Sequence, residues 1–176
     1  MSDIEFPDDF SDYLIGEKYP VLKAENSRTN ASASLNMISQ ARHTIDLFTN
    51  DLDGKVLNSS SIAQAISHFV KISPKSRFRI LVSDPTAAIK EGHCLIDLSR
   101  KFSSFITIKK THAEYQNTAF SLLMVDNKAL IQRPYATQYH AIVNYKAVYE
   151  CRQQLEFFNK VWDRSEIASE MRQLFI

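Results

Sequence analysis

Two apolar runs separated by a turn signal constrain the fold of this chain more than any other feature of its sequence. Residues 119–125 (AFSLLMV) and 129–132 (ALIQ) have the composition of β-strands. The segment Asp126-Asn127-Lys128 between them favours a tight turn, because these residue types tolerate turn conformations. The sequence therefore predicts an antiparallel hairpin of two largely apolar strands.

Further strand-like and helix-like segments surround this hairpin. The other predicted strands are 43–49 (HTIDLFT), 77–83 (RFRILVS), 105–109 and 139–145 (YHAIVNY). The predicted helices are 27–42, 62–70, 84–102 and 146–162, with a short final helix ending at Leu174 and Phe175. Strands that alternate with helices and then run on together predict the α/β class, with a mixed β-sheet flanked by helices on both faces.

Length and composition favour one globular domain. The chain has 176 residues, 44% of them hydrophobic, which is enough to bury a sizeable core without disulfides. Residues 1–26 begin with an acidic stretch of little periodicity, and we expect a loosely packed N-terminal arm there. The single domain is predicted over residues 27–176.

The charge balance and the N-terminus bear on partners and location. Lys and Arg total 21 against 20 Asp and Glu, so the net charge of +1 does not indicate nucleic-acid binding. No stretch approaches the ~20 apolar residues that a membrane span needs, and the N-terminus has no basic flank or apolar run. We therefore expect a cytoplasmic protein that has no association with membranes.

The stretch TAFSLLMVDNKALIQRP (118–134) resembles the catalytic strand and hairpin of phospholipase D-like enzymes, whose pattern is H-x-K-x-x-x-x-D. With Asp126 at the aspartate position, Ala119 stands at the histidine position and Ser121 at the lysine position. In that family the histidine attacks phosphorus, and the lysine neutralises the charge that develops on the phosphoryl oxygens. The resemblance implies one half of such an enzyme, with that catalytic pair missing.

Other segments carry a second resemblance. The runs ARHTIDLFTNDLDGKVLNSSS (41–61), RFRILVSDP (77–85) and EGHCLIDLSRKFSS (91–104) are similar to an uncharacterised bacterial domain related to the phospholipase D-like fold. That domain is found alone or attached to acetyltransferases. Two halves pair around the active site in the phospholipase D-like family, so the resemblance implies a homodimer.

The position of each residue in that fold indicates which side chains line a pocket, if one persists. The predicted lining residues are Thr49, Asp51, His93, Ser121, Arg133 and Asn144. The resemblance predicts no catalytic residue, no metal and no cofactor. It implies a non-catalytic, regulatory module that binds an unknown small ligand or a protein partner.

Asp51-Leu52-Asp53-Gly54 supports a different hypothesis. After a strand, this segment is similar to the Asp-x-Asp-Gly signature of haloacid dehalogenase-type phosphatases. There the first carboxylate is the nucleophile, the second is a general acid, and Mg²⁺ bridges the nucleophile and the phosphate. A solvated turn explains the same residues, and a purely structural interaction module without a pocket is a third alternative.

Overall fold

A computed structural model describes residues 3–171 of the chain. Its strands are β1 Ile4–Glu5, β2 Val21–Ala24, β3 Thr44–Thr49, β4 Arg77–Val82, β5 Ile106–Lys110, β6 Ser121–Val125, β7 Ala129–Arg133, β8 Ala141–Asn144 and β9 Glu166–Ile167. Its helices are α1 Ser27–Gln40, α2 Gly54–Leu57, α3 Ser60–Ile72, α4 Thr86–Glu91, α5 Cys94–Lys101 and α6 Val148–Arg164. Short 3-10 helices occupy Ala113–Tyr115 and Ser169–Met171.

All of these strands form one mixed sheet in the order β1-β2-β8-β7-β6-β3-β4-β5-β9. β3, β4 and β5 are parallel, because helices return the chain to the same edge between them. β6, β7 and β8 form an antiparallel meander, and β6 lies beside β3. The predicted α/β class with a mixed sheet is confirmed.

The predicted hairpin is the turn between β6 and β7. Asp126 and Asn127 adopt left-handed backbone conformations, with φ of 54° and 53°. The N–H of Lys128 donates to the carbonyl of Val125 at 3.0 Å and closes the turn. Two central residues with positive φ are typical of type I′ turns, whose twist matches that of the flanking strands.

Helices cover both faces of the sheet, as the alternation of side chains along β3 requires. Ile45 and Leu47 join the larger core beneath α1, α2, α3 and α5. Phe48 points to the opposite face, into a smaller core that includes Cys151 and Phe158 of α6. The central strands are therefore buried on both sides, which explains their nearly continuous apolar sequences.

The predicted helix over residues 84–102 is wrong as a single element. Gly92 has a φ of +84°, and it separates α4 from α5. His93 then caps α5, because its Nδ1 accepts the backbone N–H of Leu95 at 3.1 Å. A positive φ next to an imidazole cap stops one helix and starts another, which apolar periodicity alone does not reveal.

The N-terminal segment packs more closely than the expected arm. Phe10 is fully buried, and its backbone N–H donates to the Ser32 hydroxyl of α1 at 2.9 Å. β2 pairs antiparallel with β8, so it extends the sheet. The predicted final helix ending at Leu174 and Phe175 lies outside the described residues. None of the helices in the described part of the chain is long and apolar enough to cross a membrane.

Candidate functional site

A small cavity with both polar and apolar lining lies where β3 ends, beside the start of β6 and the end of β7. Thr49 is the last residue of β3, and Ser121 and Arg133 face each other as a pair in the ladder of β6 and β7. All three line the cavity, together with Asn30 and Ser34 of α1. Its volume is about 30 Å³, which is room for little more than one water molecule.

Arg133 is the cation of this site, and it is only 8% exposed. Its Nε and Nη2 donate to the carbonyls of Gln138 and Ala136 at 2.8 and 2.6 Å. Its guanidinium carbon lies 4.9 Å from the centre of the Tyr139 ring, and its Nη1 forms an ion pair with Asp53. Burial lowers the pKa of Arg133 from its ordinary value, yet an arginine remains charged in proteins.

Asp53 reaches Arg133 from a strained loop between β3 and α2. Leu52 and Asp53 have φ of 69° and 45°, the left-handed region that residues with a side chain seldom occupy. The Thr49 hydroxyl accepts the N–H of Leu52 at 3.2 Å, and the Asp51 carboxylate accepts the N–H of Asp53 at 3.0 Å. These bonds hold the Asp53 carboxylate against the guanidinium.

Residues 134–140, between β7 and β8, form a loop that is hydrogen-bonded to the lining residues Arg133 and Asn30, and we call it the covering loop. Arg133 holds this loop through the carbonyls of Ala136 and Gln138. The amide Nδ2 of Asn30 donates to the carbonyl of Tyr139, and the N–H of Ala136 donates to the carbonyl of Ala119 at 2.6 Å. The covering loop is therefore tied to α1, to β7 and to the segment that precedes β6.

The structure brings together three of the six predicted pocket residues, namely Thr49, Ser121 and Arg133. Asp51 is exposed on the strained loop, and its carboxylate supports the turn. Asn144 lies in β8 and lines a different cavity, beside Tyr145.

His93 lies behind the strained loop. Its Nε2 is 3.0 Å from the carbonyl of Leu52, and its Nδ1 accepts an N–H from Leu95. Burial lowers the pKa of His93 from its ordinary value, because the charged imidazolium is desolvated there. The neutral ring thus donates to Leu52 and supports the loop that presents Asp53.

Two features of the site were not predicted from the sequence: the polar side chains that α1 adds to the lining, and the pairing of Asp53 with Arg133. Asn30 and Ser34 lie four residues apart on the buried face of α1, which is a readable sign of a polar site. The ion pair joins the loop after β3 to the end of β7, 80 residues apart in sequence, and leaves no local pattern.

The Asp51-Leu52-Asp53-Gly54 segment does not form a pair of carboxylates directed at one point. Asp53 is paired with Arg133, whereas Asp51 is engaged by the backbone of its own turn. Across residues 3–171, no group of three or more His, Cys, Asp or Glu side chains is arranged to hold a metal ion.

A second buried ion pair lies on the opposite face of the sheet, beneath α6. Asp46 is 2% exposed, and its Oδ1 accepts a hydrogen bond from Nε of Arg79 at 2.7 Å. Arg79 also donates to Asn159 at 2.8 Å and lies 4.8 Å from the centre of the Phe158 ring. Burial raises the pKa of Asp46, and Arg79 opposes that rise. This pair fastens α6 to β3 and β4.

Solved structures with the same fold come from the phospholipase D family and from a chromatin protein. Nuc from Salmonella typhimurium, a phospholipase D family member, is similar with a TM-score of 0.59 and 13% identity over 84% of this chain and 95% of Nuc. Phosphatidylserine synthase from Haemophilus influenzae is similar with a TM-score of 0.60 and 12% sequence identity, over 89% of this chain and 41% of the synthase. TrmBL2, an archaeal chromatin protein, is similar with a TM-score of 0.61 and 15% sequence identity, over 84% of this chain. This chain spans about half of TrmBL2, 53% of its length.

These likenesses define the class: the chain has the phospholipase D-like fold. The particular family follows from the sequence itself. The family described as "Domain of unknown function (DUF7931)" matches residues 26–174, and the chain belongs to it. No curated protein matches the sequence.

Proposed function

We propose that this chain is a cytoplasmic phospholipase D-like domain that acts by binding a partner and has no phosphodiesterase activity. The observation that carries the proposal is the small size of the site. The space beside Ser121 measures about 30 Å³, and the paired side chains of Asp53 and Arg133 are part of its lining. A phosphodiester is several times larger than one water molecule and does not fit there.

The chemistry of the lining agrees with that proposal. The family's histidine and lysine correspond to Ala119 and Ser121, and among the described residues the cavity lining contains neither histidine nor lysine. A serine hydroxyl needs a base to become a nucleophile, and alanine has no reactive group. Arg133, the cation among the described residues of the lining, is already paired with Asp53.

The partner in this proposal is a protein or a small ligand, and a second copy of the chain is the first protein to test. TrmBL2 is a chromatin protein that binds DNA. The net charge of +1 on this chain gives nucleic acid no long-range electrostatic attraction. Light scattering at micromolar concentration should give the mass of a dimer, and a monomer mass would remove the homodimer from the proposal.

The absence of catalysis is tested with purified chain and bis(p-nitrophenyl) phosphate, with and without Mg²⁺. We expect release of nitrophenol at the rate of buffer alone. Hydrolysis that is lost in Ser121→Ala would show a surviving phosphodiesterase and overturn the proposal. Hydrolysis of p-nitrophenyl phosphate that needs Mg²⁺ and is lost in Asp51→Asn would favour the phosphatase hypothesis instead.

A further inference from the structure

We infer that Asp53 is an internal ligand of Arg133, and that Arg133 receives a carboxylate-bearing ligand when the Asp53 side chain turns outward. The inference rests on the proposed function, because it treats this small cavity as the binding site. It adds the chemical class of the ligand and the group that the ligand displaces.

The hydrogen bonds and the ion pair of Arg133 indicate that its ligand must be an anion. Two of its nitrogens donate to the neutral carbonyls of Ala136 and Gln138, which hold the guanidinium in place without balancing its charge. Within residues 3–171, Asp53 is the residue with which Arg133 forms an ion pair. A buried cation without a counter-charge is costly, so whatever replaces Asp53 must itself carry negative charge.

The Asp53 side chain is the side of the pair that can move. Leu52 is fully buried, and its backbone is bonded to Thr49 and His93, so the loop backbone stays in place while the Asp53 side chain rotates outward. The neighbouring residues Asn50 and Asp51 are already exposed, so a withdrawn Asp53 carboxylate would become hydrated. Arg133, by contrast, is part of β7 and is held by the covering loop.

The size and lining of the space favour a carboxylate over a larger anion. Withdrawal of Asp53 frees the volume of one carboxylate beside the existing 30 Å³. The Ser121 hydroxyl and the Asn30 amide lie in the same lining and supply neutral hydrogen-bonding groups. A planar carboxylate also matches the guanidinium plane, whereas a tetrahedral phosphate needs more room.

Chemical rescue tests this assignment. Asp53→Ala removes the internal ligand and leaves space for free acetate beside Arg133. We expect the variant to have a lower Tm than the unchanged chain, and 100 mM acetate to raise that Tm by about 3 °C relative to chloride at equal ionic strength and pH 7. Unchanged chain and Asp163→Ala, which alters an exposed carboxylate of α6, should shift by less than about 1 °C.

The double variant Asp53→Ala/Arg133→Met should lose the acetate effect, because the receptor is gone. A shift that persists in the double variant, or the absence of a shift in Asp53→Ala, would overturn the inference. An equal shift with phosphate would overturn the assignment to carboxylates. If Asp53→Ala does not fold, Asp53→Ser undergoes the same measurement. Failure of rescue would leave the non-catalytic proposal standing, since the hydrolysis assay tests that separately.

Discussion

The carboxylate of Asp126 accepts the backbone N–H of His43 at 2.7 Å, joining two residues that are 83 positions apart in sequence. It also accepts the N–H groups of Arg42 and Thr44, both at 2.9 Å. Asp126, which the resemblance assigns to the aspartate position of the motif, therefore anchors the start of β3 to the hairpin of β6 and β7. Its role in this chain is structural.

Asp126→Ala should lower the free energy of unfolding by about 2 kcal/mol, because three backbone donors at the start of β3 lose a charged acceptor. Urea denaturation followed by circular dichroism measures the change. The matched control is Asn127→Gly in the same turn, which should be neutral or stabilising by about 0.5 kcal/mol because Asp-Gly suits a type I′ turn. Equal losses in both variants would contradict the anchoring role.

Arg79→Met should destabilise the chain by about 3 kcal/mol, because it leaves the Asp46 carboxylate buried without its partner. The double variant Asp46→Asn/Arg79→Met should lose less than the single variant, since the amide brings no charge into the core. Chemical denaturation of both single variants and the double variant gives the coupling between the two sites. Additive effects would show that the pair contributes no interaction of its own.

Stability should fall as the pH is lowered from 7.5 to 5.5, in part through His93. Burial holds the pKa of His93 in the folded chain below its ordinary value of 6.5. Between these two pKa values the unfolded chain binds a proton at His93 and the folded chain does not. The contribution of neutral His93 is therefore complete above pH 6.5, and it is lost as the pH falls through the lowered folded pKa. His93→Gln, measured by thermal unfolding across this range, should show a shallower decline, and an identical decline would contradict this role.

Asn30→Ala should loosen the covering loop, because the carbonyl of Tyr139 loses the amide donor that ties it to α1. Hydrogen exchange read by mass spectrometry should show faster exchange in residues 134–140 while β4 and β5 are unchanged. Asn144→Ala is the control, since Asn144 follows the same loop but lines a different cavity. Equal acceleration in both variants would argue against a specific tie from Asn30.

Local patterns were sufficient for much of the fold. The apolar runs and their turn residues predicted β3, β4, β6 and β7 close to their observed bounds, because burial on both faces leaves a continuous apolar sequence. The break at Gly92 and the packing of Phe10 were missed. Both depend on backbone conformation or distant contacts that periodicity does not encode.

Only part of the candidate site could be predicted from the sequence. Thr49 and Ser121 could be placed from strand ends and from the resemblance, because strand ends meet at one edge of a sheet. The predicted involvement of Asn144 followed from a family position, and β8 places that residue at another cavity. The role of Asn30 required the position of α1 over the sheet.

The sequence by itself determined the α/β class and the hairpin at Asp126. Those features are local, since they depend on residue identity and short-range spacing. Only the tertiary structure decided that Asp53 pairs with Arg133 and that about 30 Å³ remains beside Ser121. An ion pair between the loop after β3 and the end of β7 depends on how the sheet brings these two strands to the same edge, and short-range sequence patterns do not specify that arrangement.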